Sequence, residues 1–169
     1  EALYFTRRRM LNDLVLAELL EAGGRFLPKI VDGIFLIAEE SGWQLPAHNA
    51  YGRGGPRLPL PDTSQPVVDL FAAETAALLA TIVALLGDAL DGISAEIAAR
   101  VEREIETRIL TPYLGRHFWW MGSGEERMIG SLARLHAYPA LPARLWTRRT
   151  RSRATELKIN ESTNRITAK

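Results

Sequence analysis

The sequence predicts an all-α protein built from antiparallel helical hairpins. Three observations lead there. Apolar residues recur at three- and four-residue spacings in four separate segments. No segment shows the clear two-residue alternation of a half-buried strand. Glycines and prolines fall near the places where those segments begin or end. A chain of 169 residues with 47% hydrophobic content is long and apolar enough for one domain with a real core.

The first segment, residues 7–22, sets Met10, Leu11, Leu14, Val15, Leu19 and Leu20 on one helical face, and Gly23-Gly24 ends it. A second helix starts at Pro28, a residue suited to a first turn, and stops near Gly42. Its apolar face is Ile30, Val31, Ile34, Phe35 and Ile37. Residues 42–66 change character, with five of the nine prolines and four glycines. A loop of that length inside a compact domain reads as a structured functional loop. The third helix is expected from Ser64 or Pro66 to Leu86, closed by Gly87, with Asp69 and Glu74 in its first half, where the helix dipole favours acids. Its apolar run from Leu70 to Gly87 is interrupted by Glu74 and reads as a buried helix, not a membrane span. Ser94 caps a fourth helix to about Leu114, with a core stripe of Ile97, Val101, Ile105 and Ile109. Glu96 with Arg100, and Glu104 with Arg108, read as exposed pairs one turn apart. Pro112 bends or ends this helix.

The formal net charge of +1 conceals two unlike parts. Residues 1–128 carry 12 Lys+Arg against 18 Asp+Glu, and residues 129–169 carry 9 against 2. Periodicity fades at the same place, and no acid occurs between Arg127 and Glu156. Residues 1–128 are therefore read as the folded domain, and 129–169 as a basic, poorly ordered or non-native tail. A nucleic-acid role for the tail would need a motif that it lacks, so nucleic acid is not the expected partner. The absence of cysteine excludes disulfides, zinc–thiolate sites and thiol catalysis. His48, His117 and His136 sit far apart with no i,i+4 pair, so no metal and no cofactor is expected. Residues 1–9 carry no signal-peptide pattern, which leaves the compartment open.

Reactive side chains concentrate in Trp43-Gln44-Leu45-Pro46-Ala47-His48-Asn49-Ala50-Tyr51. A histidine works as acid or base near neutral pH, an asparagine donates to a carboxylate or oxyanion, and a tyrosine donates a proton. A tryptophan offers a flat face to a sugar ring. The same residues also fit local duty: Trp43 as a core anchor, with His48 and Asn49 bonding turn backbone. Asp69 and Glu74, five apart, point in different directions and make a poor acid–base pair; bonding the preceding loop suits them better. In His117-Phe118-Trp119-Trp120 the adjacent aromatics cannot all face one core, so they either line a cleft or cover the end of the bundle.

Taken in order, four stretches resemble the helical domain of heparinase II/III-like proteins. They are Trp43 with Pro46-Ala47-His48-Asn49; Leu58-Pro59 with Pro66-Val67-Val68-Asp69-Leu70-Phe71-Ala72-Ala73-Glu74-Thr75-Ala76; Arg108-Ile109-Leu110 with Pro112-Tyr113-Leu114; and Trp119-Trp120-Met121-Gly122. The resemblance spans roughly residues 8–128. It implies part of an (α/α) toroid that in the family precedes a β-sandwich. It also implies a parent that cleaves uronic-acid-containing glycans by β-elimination, in a periplasmic or secreted setting. The expected partner is an acidic polysaccharide or oligosaccharide. The family's Asn-His catalytic motif lies later in the helical domain, beyond the region of resemblance. His48, Asn49 and Tyr51 are therefore candidates for lining the cleft first and for catalysis second. Trp43, Arg53, Arg57, Trp119 and Trp120 complete the expected substrate-binding set. Because the chain departs from the family pattern after Gly122, it is expected to be a fragment, inactive alone, with a reading-frame change near residue 128 as one origin. The alternative is a non-catalytic helical carbohydrate-binding or scaffold module.

Overall fold

A computed structural model of the chain describes residues 1–50, 55, 56, 58–118 and 120. Among these it is all α, with no strand. The expectations for Tyr51, Arg53, Arg57, Trp119 and the basic tail lie outside the described residues.

Helix α1 (Ala2–Glu21) and helix α2 (Leu27–Ala38) form the first hairpin. The buried stripe of α1 is Leu11, Val15 and Glu18, not the all-apolar face expected, and Leu20 is left 89% exposed. The reason lies in the turn. The Glu18 carboxylate folds under it and accepts the backbone N–H of Gly24 at 2.6 Å and of Phe26 at 2.9 Å. Those donors precede α2 and would otherwise lack a partner. The left-handed residue that ends α1 is Ala22, with φ 54°, followed by Gly24 at φ 76°. Helix α2 buries Ile30, Ile34 and Ile37 completely. At Gly33 an added Cβ would come within 3.0 Å of Leu11 Cδ1, so α1 and α2 approach through the missing side chain.

Helix α3 (Leu70–Asp91) starts later than the prolines implied. Residues 66–68 run into the core unhelically, with Val67 and Val68 buried. Asp69 is the cap, its carboxylate accepting the Ala72 N–H at 2.7 Å. Gly87 does not end the helix; it is buried within it, and Gly92 comes after the last turn. By length and composition α3 alone among the described helices could cross a membrane, yet here it is packed by α1, α2 and α4.

Ser94 caps α4 (Ala95–Ile105) by accepting the Glu96 N–H, and Ile97, Val101, Ile105 and Ile109 form the buried stripe. Pro112 neither ends the helical run nor simply kinks it. A π-helical turn (Glu106–Leu110) leads directly into α5 (Thr111–Gly115). Pro112 has no N–H for the Arg108 carbonyl, and a wide turn just before it accommodates the lost rung of the ladder. The charged pairs differ too. Glu104 sits between Arg100 and Arg108 and bonds each Nε at 2.6 Å, with its own side chain only 14% exposed.

Candidate functional site

The loop between α2 and α3 is built on Trp43. Its side chain is 1% exposed, and its indole N–H donates to the Ile37 carbonyl at 2.9 Å. The Arg108 guanidinium lies 5.0 Å from the ring centre. A ring enclosed in this way has no open face for a sugar, so the stacking role expected for Trp43 gives way to anchoring. Asn49 is also buried. It accepts from Gln44 Nε2 at 3.0 Å and donates to the Leu58 carbonyl at 3.1 Å, which engages both ends of its amide. Trp120 donates its indole N–H to the Val68 carbonyl at 2.8 Å and stacks on Phe118, with ring centres 5.7 Å apart. It therefore ties the chain after α5 to the segment before α3.

His48 is different. Its side chain is 44% exposed, and Nδ1 lies 2.6 Å from Asp69 Oδ2. A carboxylate only accepts, so Nδ1 carries the proton and Nε2 is the acceptor of the neutral ring. The ring lies against Phe71, with centres 6.0 Å apart. Asp69, 8% exposed, also accepts the Leu45 N–H at 3.2 Å. One carboxylate thus caps α3, holds the loop and orients His48. Sequence spacing pointed to the loop-bonding duty but not to His48 as the partner.

A second network was not foreseen. The Tyr4 hydroxyl reaches the Trp43 carbonyl at 2.7 Å, the Phe71 carbonyl at 3.0 Å and Thr75 Oγ1 at 2.9 Å. Arg8 donates to Thr75 Oγ1 at 2.7 Å and to Glu40 Oε2 at 2.7 Å, and Arg7 also pairs with Glu40. Burial pushes the Tyr4 phenol above its ordinary value of 10.0, outweighing the Thr75 hydrogen bond that pulls it down. In the unfolded chain the phenol loses its proton at the ordinary value while the folded one still holds it. Stability is therefore full below pH 10.0 and falls as pH rises beyond it. Tyr4→Phe is expected to flatten that alkaline decline and to cost about 1–2 kcal/mol at neutral pH. Urea melts of both forms at a series of pH values check this.

A cleft of about 650 Å³ lies between the end of α2, residues 61–67 and the α4 side chains Arg100 and Glu104, with Arg108 of the π turn beside them. Trp43 and Gln44 reach it from the loop, whereas His48, Asn49 and Trp120 do not line it. Of the expected binding residues that the structure describes, Trp43 therefore reaches the cleft, while His48, Asn49 and Trp120 lie away from it. Arg108 donates to the Ala38 carbonyl at 2.7 Å and also to the Glu40 carbonyl, closing the free end of α2. The four-residue spacing of Arg100, Glu104 and Arg108 was the available signal for this wall, but it read as a solvated surface. Among the described residues no three His, Asp or Glu side chains gather into a metal site. No family model matches the chain, and no curated protein matches it.

Proposed function

We propose that the chain is part of an (α/α) toroid from a heparinase II/III-like polysaccharide lyase. In this reading the parent cleaves uronic-acid-containing glycans by β-elimination, and this chain alone binds such a glycan without cleaving it. The order of four motifs supports the reading, together with helices that pair as two hairpins, α1 with α2 and α3 with α4. The observation that carries it is the cleft. Its volume lies in the range of small-molecule sites, and its wall presents guanidinium, carboxylate and hydroxyl groups around the edge of Trp43. His48 is a half-exposed imidazole held by Asp69 on a neighbouring surface, whereas the cleft brings guanidinium, carboxylate and hydroxyl groups together around one cavity.

Calorimetric titration of the full chain with uronate oligosaccharides tests this. Binding is expected without growth of the ultraviolet absorbance of an unsaturated uronate. Absence of binding to every uronate and every neutral oligosaccharide would remove the carbohydrate reading.

A further inference from the structure

Helix α1 carries two stripes. The inward one, Leu11, Val15 and Glu18, faces α2 and the turn. On the other side Ala2, Phe5, Arg9, Asp13, Leu16 and Leu20 recur at three- and four-residue spacings, and all six are exposed. That spacing aligns them along one face of the helix. Leu16 is 51% and Leu20 89% exposed, and Phe5, 37% exposed, is held edge-on against Phe71. Apolar side chains therefore occupy both ends of the stripe, and only its middle is charged. An aligned seam of this kind differs from the scattered leucines of an ordinary surface.

The charges decide what fits it. Of the three consecutive arginines of α1, Arg7 and Arg8 are committed to Glu40. Arg9 pairs with no described residue, and neither does Asp13, one turn further on. A base four residues before an acid is the less favourable order for a pair within one helix. A second α1 laid parallel to the first would oppose Arg9 to Arg9 of the partner subunit, and Asp13 to Asp13 of the partner subunit. An antiparallel one, about a twofold axis midway between the two positions, sets each Arg9 against Asp13 of the partner subunit. The same operation lays Leu16 over Phe5 of the partner subunit and Leu20 over Ala2 of the partner subunit. The stripe is thus complementary to itself in the antiparallel orientation, in charge as well as in apolar surface.

We infer that the outward face of α1 is a homodimer surface, on which a second copy of this chain docks its own α1 antiparallel, with two Arg9–Asp13 pairs at the centre and leucines at the ends. A helix of 20 residues is about 30 Å long. A seam of that length buries less than about 1,200 Å² in total, the range of weak contacts, so the dimer forms in a concentration-dependent way. The inference is independent of the carbohydrate reading, because no residue of α1 lines the cleft.

Sedimentation equilibrium of the full chain tests this, from about 1 µM to about 1 mM, the span over which a weak interface fills. The wild type is expected to pass from monomer to dimer within that range. Arg9→Asp and Asp13→Arg each place like charges face to face at both central positions, and each is expected to weaken the dimer about tenfold or more. The double variant exchanges the two charges and restores the match, so it is expected to dimerise like the wild type. Leu16→Glu sets a charge in the apolar part of the seam and is expected to leave monomer only. Circular dichroism melts check that the variants fold, as exposed positions predict. A wild type that stays monomeric at every concentration would overturn the inference, leaving this face to a different occupant. So would a dimer that either single reversal leaves unchanged, or one that the double exchange fails to restore.

Discussion

Trp43→Ala is expected to destabilise the chain by about 3–5 kcal/mol, the range for removing a buried aromatic side chain. The indole is 1% exposed and sits where α2, the loop and the π turn meet, with the Arg108 guanidinium 5.0 Å from its ring centre. Truncation leaves a cavity that the hairpins cannot readily close, and it strips the Ile37 carbonyl of its indole partner. Trp43→Phe separates the two losses. It keeps most of the packing and forfeits the hydrogen bond, for an expected cost of about 1–2 kcal/mol. Urea denaturation of all three proteins checks the ordering. An alanine variant that melted like the wild type but lost glycan affinity would reverse the assignment, making Trp43 a stacking platform.

Asp69→Ala should rank next, at about 2–4 kcal/mol. A lost helix cap accounts for about 1 kcal/mol. A further 1–3 kcal/mol, roughly, comes from the buried Leu45 N–H left without an acceptor. His48→Ala removes only the third interaction, a bond on a side chain 44% exposed, and should cost less than about 1 kcal/mol. Asp69→Asn should fall between them, because an amide oxygen can still cap α3. Thermal melts of the three variants decide the ranking. Equal losses in His48→Ala and Asp69→Ala would mean that His48, not the loop backbone, is the main partner of the carboxylate.

The helices were legible because each advertises itself locally. Ser94 caps α4 as its position implied, and the stripe from Ile97 to Ile109 is buried throughout. Boundaries were less legible where a side chain took over a backbone role. Pro66 resembles a helix start, yet Asp69 carries the cap, so α3 begins at Leu70. Glycines misled for a similar reason: Gly87 looks like a terminator but sits inside α3, where its small size suits a buried position. In the loop, residue types identified reactive groups without revealing which were already engaged. Trp43, His48 and Asn49 lie within seven residues, yet only His48 retains substantial exposure.

An all-α chain, its four principal helical segments and the buried faces of α2 and α4 arise from local periodicity, which every residue shares with neighbours three and four positions away. The assignment of roles to polar side chains does not. Tyr4 meets Thr75 across 71 positions, and Arg108 meets Ala38 across 70. Such partners are chosen when hairpins pack and buried donors and acceptors must be matched, a condition with no periodic trace in the chain. Packing therefore turned Trp43 and Asn49 into supports and exposed one edge of His48. It also placed Arg100 and Glu104 on the wall of a cleft, on a helix whose charges looked like ordinary surface.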